Sequence, residues 1–142
     1  MTQQSGTTYN KPLPLMQGMA QQFYNHCKNG ELCFQRCTKC GKWRHVPRAM
    51  CAACGSWEWE WAKSSGRGKV FTWTVVRRPM HPGFKDDAPY APVVVELAEG
   101  VRMVTWLVDV APDDIKKDMP VEVVFDAVTP EVTLPKFRRA KA

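Results

Sequence analysis

The chain has 142 residues, 44% of them hydrophobic and 24% charged, with a formal net charge of +6. That length gives about one domain, or two very small ones, and the composition excludes wholesale disorder, a collagen-like repeat and a coiled coil. No run approaches the ~18 apolar residues of a transmembrane helix, so no membrane partner is expected.

Charge is unevenly placed. Residues 1–68 hold nine Lys/Arg against three Asp/Glu, and residues 69–135 hold seven against eleven. Lys136, Arg138, Arg139 and Lys141 then make the end basic. A basic first half before an acidic body reads as two modules with different partners. The basic part suits nucleic acid, an anionic cofactor such as a nucleotide or coenzyme A, or an acidic protein surface.

The first ten residues, MTQQSGTTYN, lack the charged start and apolar run of a secretory signal. All six cysteines lie between residues 27 and 54. A reducing, cytoplasmic setting is expected, where metal binding outranks disulfides.

Residues 1–12 are expected to form a disordered tail. Residues 13–30 read as a helix, with Met16, Met19, Ala20, Phe23 and Cys27 on one apolar face and Asn29-Gly30 as its stop. Residues 31–64 form the cysteine module. Leu32–Arg36 is a short strand, and Trp57, Trp59 and Trp61 alternate with Glu58 and Glu60 as a strand with one aromatic face. Ser64–Gly68 is a break.

Residues 65–142 read as strands over 70–77, 93–98, 101–110 and 121–128, with a short one near 132–138. Residues 78–92, with four prolines, form a loop, and one helical turn is expected after Pro112. Five strands in about 75 residues without a long helix point to a small barrel of the oligonucleotide/oligosaccharide-binding (OB) type, ending in a basic tail.

Cys37-x-x-Cys40-Gly41 and Cys51-x-x-Cys54-Gly55 are two knuckles separated by ten residues. Four thiolates so spaced surround a tetrahedral zinc, and each glycine suits the tight turn that aims amides at the sulfurs. Iron uses the same ligands, so the spacing alone leaves zinc and iron open. Four protein ligands close the site, which makes the metal structural, one per chain. Arg36, Lys39, Lys42, Arg44 and Arg48 surround the knuckles, either balancing the thiolates or forming an anion-binding face. Cys27, Cys33, His26 and His45 read as packing or surface residues.

No phosphate-binding loop, nucleophile elbow or His-Glu-x-x-His motif is present. His81 and Asp86-Asp87 sit in the proline-rich loop without a recognisable catalytic partner. No catalytic residue is assigned, and an enzyme acting alone is not expected. Phe71, Trp73 and Trp106 on the barrel strands either fill the core or stack on bases. The acidic balance of 69–135 disfavours a groove that tracks a nucleic-acid backbone. Binding of single-stranded nucleic acid is the alternative reading.

The order of these pieces is more specific than any one of them. Cys37, Cys40, Gly41, Pro47, Arg48, Cys51, Cys54, Gly55, Ser65, Gly66 and Gly68, the strand Val70–Val76 and Pro89-Tyr90 together resemble an OB-fold, acyl-CoA-associated zinc-ribbon family, formerly a domain of unknown function. The resemblance runs from about residue 18 to 138. The family usually carries a glycine in the turn Lys117–Val121, where this chain has none.

The resemblance implies a mainly β chain with an N-terminal helix, a rubredoxin-like zinc ribbon and a C-terminal five-stranded OB barrel. It implies a non-catalytic subunit of a thiolase-like acyl-CoA enzyme that makes or breaks carbon–carbon bonds, as in sterol side-chain or acetoacetyl-CoA chemistry. A hot-dog-fold hydratase is a further possible partner. Coenzyme A carries several phosphate charges, so Arg44, Arg48, Arg77 and Arg78 are the candidates to hold an acyl-CoA ligand.

Overall fold

The computed structural model describes residues 9–141. It is mainly β, with one helix, α1 (Gly18–Lys28), and eight strands in two sheets. Most of the disordered tail expected over 1–12 lies outside the described residues. Residues 9–12 lie against the barrel, where Lys11 Nζ stands 2.9 Å from an Asp87 carboxylate oxygen.

The helix expected over 13–30 is shorter. Pro14 biases Leu13 towards extended backbone, Gln17 is extended, and Gly18 sits at φ 58°. That left-handed value interrupts any helix entering from residue 13. Of the expected apolar face, Phe23 and Cys27 are buried. Met19 Sδ instead accepts a hydrogen bond from Gln35 Nε2 at 3.2 Å.

The first sheet is the ribbon. Its strand order is β2 (Trp43–Arg44), β1 (Cys33–Cys37), β3 (Trp59–Lys63), all antiparallel. Cys37 faces Trp59 and Cys33 faces Lys63 across β1–β3. Trp59 and Trp61 share one face, edge to face at 5.1 Å. Trp57 precedes the strand and is 70% exposed.

The second sheet has the order β6 (Arg102–Trp106), β5 (Pro92–Leu97), β4 (Arg67–Trp73), β7 (Pro120–Ala127), β8 (Thr133–Arg139). The expected strand over 70–77 shifts to 67–73, with a bulge between Val70 and Thr72, and Val76 then pairs singly with Tyr90. The strand expected over 101–110 ends at Trp106 because Leu107 leaves it to bridge Phe137 in parallel. Thr105 Oγ1 donates to the Pro135 carbonyl at 3.0 Å, and Val108 N–H to the Phe137 carbonyl at 2.9 Å. These bonds curl the sheet into an OB-like half-barrel.

The two sheets share a core. Phe23, Cys27, Leu32 and Phe34 belong to the same buried cluster as Val70, Val95, Val121 and Phe137. The helix packs on β7 and β8 on one side and β1 on the other.

In the turn Lys117–Val121, where the resembling family usually carries a glycine, Asp118 takes φ 65°. Aspartate tolerates this region better than most residues. Its N–H donates to the Val70 carbonyl at 2.8 Å, and its carboxylate lies 3.8 Å from Lys69 Nζ. Glycine relieves the left-handed cost but adds unfolded-state entropy. Asp118→Gly is therefore expected to raise the unfolding free energy by roughly 0.5–1 kcal/mol in a urea titration.

Candidate metal centre and binding cavity

The two knuckles fold alike. Gly41 N–H donates to the Cys37 carbonyl at 2.9 Å and Gly55 N–H to the Cys51 carbonyl at 2.8 Å. Both glycines sit at φ 76°, which a side chain rarely adopts. The four sulfurs of Cys37, Cys40, Cys51 and Cys54 all lie within 4.8 Å of one another. Cys37 to Cys54 and Cys40 to Cys51 are each 3.6 Å. A tetrahedral zinc with bonds near 2.3 Å spaces its sulfurs about 3.8 Å apart. The residues fit a structural zinc. Cys37 and Cys51 are buried, while Cys40 and Cys54 are exposed.

Backbone amides tune the sulfurs. The Cys40 N–H, helped by Lys39, draws the Cys37 thiol down to about 6, and the N–H groups of Cys54 and Ala53 lower Cys51. At Cys54 the Ser56 N–H pulls down, but the thiols of Cys37, Cys40 and Cys51 outweigh it and push it up to about 11. One cation among them removes this competition between neighbouring thiolates.

The segment between the knuckles hangs on one buried amide. Gln35 Oε1 accepts from Arg44 Nε at 2.9 Å and from the Arg48 N–H at 2.7 Å. Arg44 also donates to the Arg48 carbonyl at 2.7 Å. Arg44 and Arg48, with Lys42, Val46 and Met50, line a cavity of about 110 Å³. Arg44 Nη1 is buried there without a partner. Arg77 and Arg78 are exposed on the segment after β4 and line neither this cavity nor the larger one. The structure thus joins two of the four candidate arginines and leaves the others apart.

A cavity of about 530 Å³ opens where the N-terminal segment, helix, ribbon and barrel meet. Its floor is a ladder of rings. Tyr90 stacks on Phe84 at 5.2 Å and on Trp106 at 5.1 Å. Lys11 Nζ lies 5.6 Å from the Phe84 ring centre, and Lys136 Nζ 5.8 Å from that of Trp106. Sequence reasoning assigned no site to this cavity. The proline-bounded loop and Tyr90 were visible, but no spacing rule links residue 11 to residues 84, 106 and 136. Two of the three barrel rings are engaged within the chain: the Arg102 guanidinium lies 3.7 Å from the Phe71 ring centre, and Trp73 packs on the core, while Trp106 lines the cavity.

The three histidines differ in setting. His81 Nδ1 accepts from the Gly83 N–H at 3.0 Å and so holds its loop. His26 lies beside Glu31 and Trp61. His45 packs between Phe23 and Phe34, at 5.0 and 5.3 Å, and lines both cavities. Burial pushes its imidazole down to about 4.

Comparison with known proteins agrees with this architecture. Residues 25–60 match the family described as "ChsH2, rubredoxin-like zinc ribbon domain", and residues 61–126 match "ChsH2, C-terminal OB-fold domain". A "Probable enoyl-CoA hydratase alpha subunit" of Thermomonospora curvata is 39% identical over 92% of this chain, and the chain spans 40% of that protein's length. A "DUF35 domain-containing scaffold protein" of Pyrococcus furiosus is 41% identical over 69% of this chain and 63% of its own. A chain of the solved "Ltp2-ChsH2(DUF35) aldolase" superposes with TM-score 0.79 at 38% identity, over 92% of this chain and 100% of that one. The chain belongs to the DUF35 family, in which a ChsH2-type zinc ribbon precedes an OB fold.

His45 makes stability depend on pH. The unfolded chain protonates it below roughly pH 6.5, the folded chain only near pH 4. Its contribution is full above that unfolded value and is lost as pH falls towards about 4. His45→Gln is expected to flatten this part of the profile by on the order of 1–3 kcal/mol, read from denaturant midpoints of both proteins across that range.

Proposed function

We propose that this DUF35 chain is a non-catalytic accessory subunit of a thiolase-like acyl-CoA enzyme that makes or breaks carbon–carbon bonds. It docks on the partner and helps to bind or channel the acyl-CoA. The observation that carries this reading is the likeness to a chain of the Ltp2-ChsH2(DUF35) aldolase, which extends over helix, ribbon and barrel. The scaffold and hydratase-subunit names of other relatives support a role inside an enzyme assembly. A hot-dog-fold hydratase is a further proposed partner.

The ribbon offers the surface for docking. Val46 is 62% exposed and Met50 45%, both on the rim of the small cavity, and Trp57 is 70% exposed on the way into β3. A large apolar ring ringed by polar residues is the usual anchor of an interface. Arg44 and Arg48, together with the unpartnered Arg44 nitrogen, are the proposed holders of CoA phosphate charge. Arg77 and Arg78 are proposed as a separate contact for the same ligand. The ring-lined cavity suits an apolar acyl portion.

Expressed with a tag in its native host, the chain is expected to retain a thiolase-like protein at a fixed ratio. Trp57→Ala is expected to weaken that complex by about 30-fold or more in a titration of the purified pair, while leaving the fold intact by circular dichroism. Retention of nucleic acid with no protein partner contradicts the proposal.

A further inference from the structure

The C-terminal end of α1 carries a second constellation that the ribbon does not use. Gly30 sits at φ 77°, its N–H donates to the Cys27 carbonyl, and the Glu31 N–H donates to the His26 carbonyl, both at 3.0 Å. This is a Schellman ending, in which the side chains at the positions of His26 and Glu31 usually make an apolar contact. Here they are an imidazole and a carboxylate, with His26 Nδ1 3.8 Å from Glu31 Oε2. Cys33 opens β1 two residues later and is 4% exposed. One donor atom from each of His26, Glu31 and Cys33 lies within 4.8 Å of the others.

We infer that His26, Glu31 and Cys33 form a second divalent-metal site, separate from the four-cysteine ribbon and suited to zinc. Nitrogen, oxygen and sulfur donors match a borderline-soft ion. Three protein ligands leave the fourth position open, the arrangement of an exchangeable or reactive zinc rather than a structural one. Donors at 2.0–2.3 Å from a tetrahedral ion lie roughly 3.3–3.8 Å apart. For a nitrogen–oxygen pair that spacing is about 3.3 Å; His26 Nδ1 and Glu31 Oε2 stand at 3.8 Å, and side-chain rotations draw all three donors in around an ion.

The helix end favours a cation, against the neighbouring Lys63 and Lys28. The last turn of a helix carries partial negative charge, and His26 lies in it. Lys63 faces Cys33 across the ladder and holds its Nζ 3.8 Å from the other Glu31 oxygen. Its side chain is 65% exposed, so it can swing into water when an ion takes the carboxylate. The side chains of His26 and Glu31 are 30% and 43% exposed, which gives the ion an entry path. On binding, the Cys33 thiol releases its proton to solvent and sulfur bonds the ion as thiolate.

The test uses the full chain with its ribbon loaded. After dialysis against excess zinc, wild type is expected to hold two ions per chain, whereas His26→Ala and Glu31→Gln hold one. Cobalt added to chain that holds a single zinc, in the ribbon, is expected to give a thiolate-to-metal charge-transfer band that Cys33→Ser abolishes. Cys33 is buried, so if that variant fails to fold, the other two variants carry the test. One zinc per chain in wild type, or a second ion that survives both His26→Ala and Glu31→Gln, overturns the inference.

Discussion

Phe23 is the point at which the molecule is joined. It projects from the only α-helix among the described residues into a core that holds Leu32 and Phe34 of the ribbon side and Val70, Val121 and Phe137 of the barrel. Without that shared cluster, neither sheet has much interior: the ribbon has three short strands, and the half-barrel packs β7 and β8 against the helix. Burying a phenylalanine in such a cluster contributes roughly 3–5 kcal/mol by the cost of removing one. The relative placement of ribbon, helix and barrel follows from this packing.

Two local devices then position chemistry on that frame. The four cysteines tie residues 37–54 into a closed unit whose sulfur spacing fits one tetrahedral ion. Gln35, fully buried on β1, holds Arg44 and Arg48 from inside. A buried amide of this kind is costly unless paired, and its pairing fixes the loop. His45 stands within that loop, between Arg44 and Arg48 and against Phe23, and forms part of the wall of both cavities. The metal module, the basic loop and the ring-lined cavity are thereby parts of one surface.

The four-cysteine cluster was legible in the sequence because a knuckle is local: spacing and a following glycine carry the geometry that brings Cys37, Cys40, Cys51 and Cys54 together. Strands were legible from alternation, though β4 and β6 end early, where a bulge and a parallel closing bridge override the pattern. The start of α1 was not, because Gly18 adopts a left-handed backbone that its neighbours do not announce. Asp118 hides a glycine-like turn behind an acidic side chain in the same way. The large cavity and the His26–Glu31–Cys33 cluster depend on tertiary convergence and a helix ending. The sequence view of His26 and Cys33 as packing or surface residues missed their proximity.

In the proposed role, this chain serves a thiolase-like enzyme rather than acting alone. The most direct measurement is acyl-CoA carbon–carbon bond cleavage or formation by the purified pair, compared with each chain by itself. Turnover is expected to need the partner, to rise when this chain is present, and to be absent from this chain alone. Turnover by the isolated chain, or a partner whose rate and acyl-CoA affinity ignore it, would rule that role out.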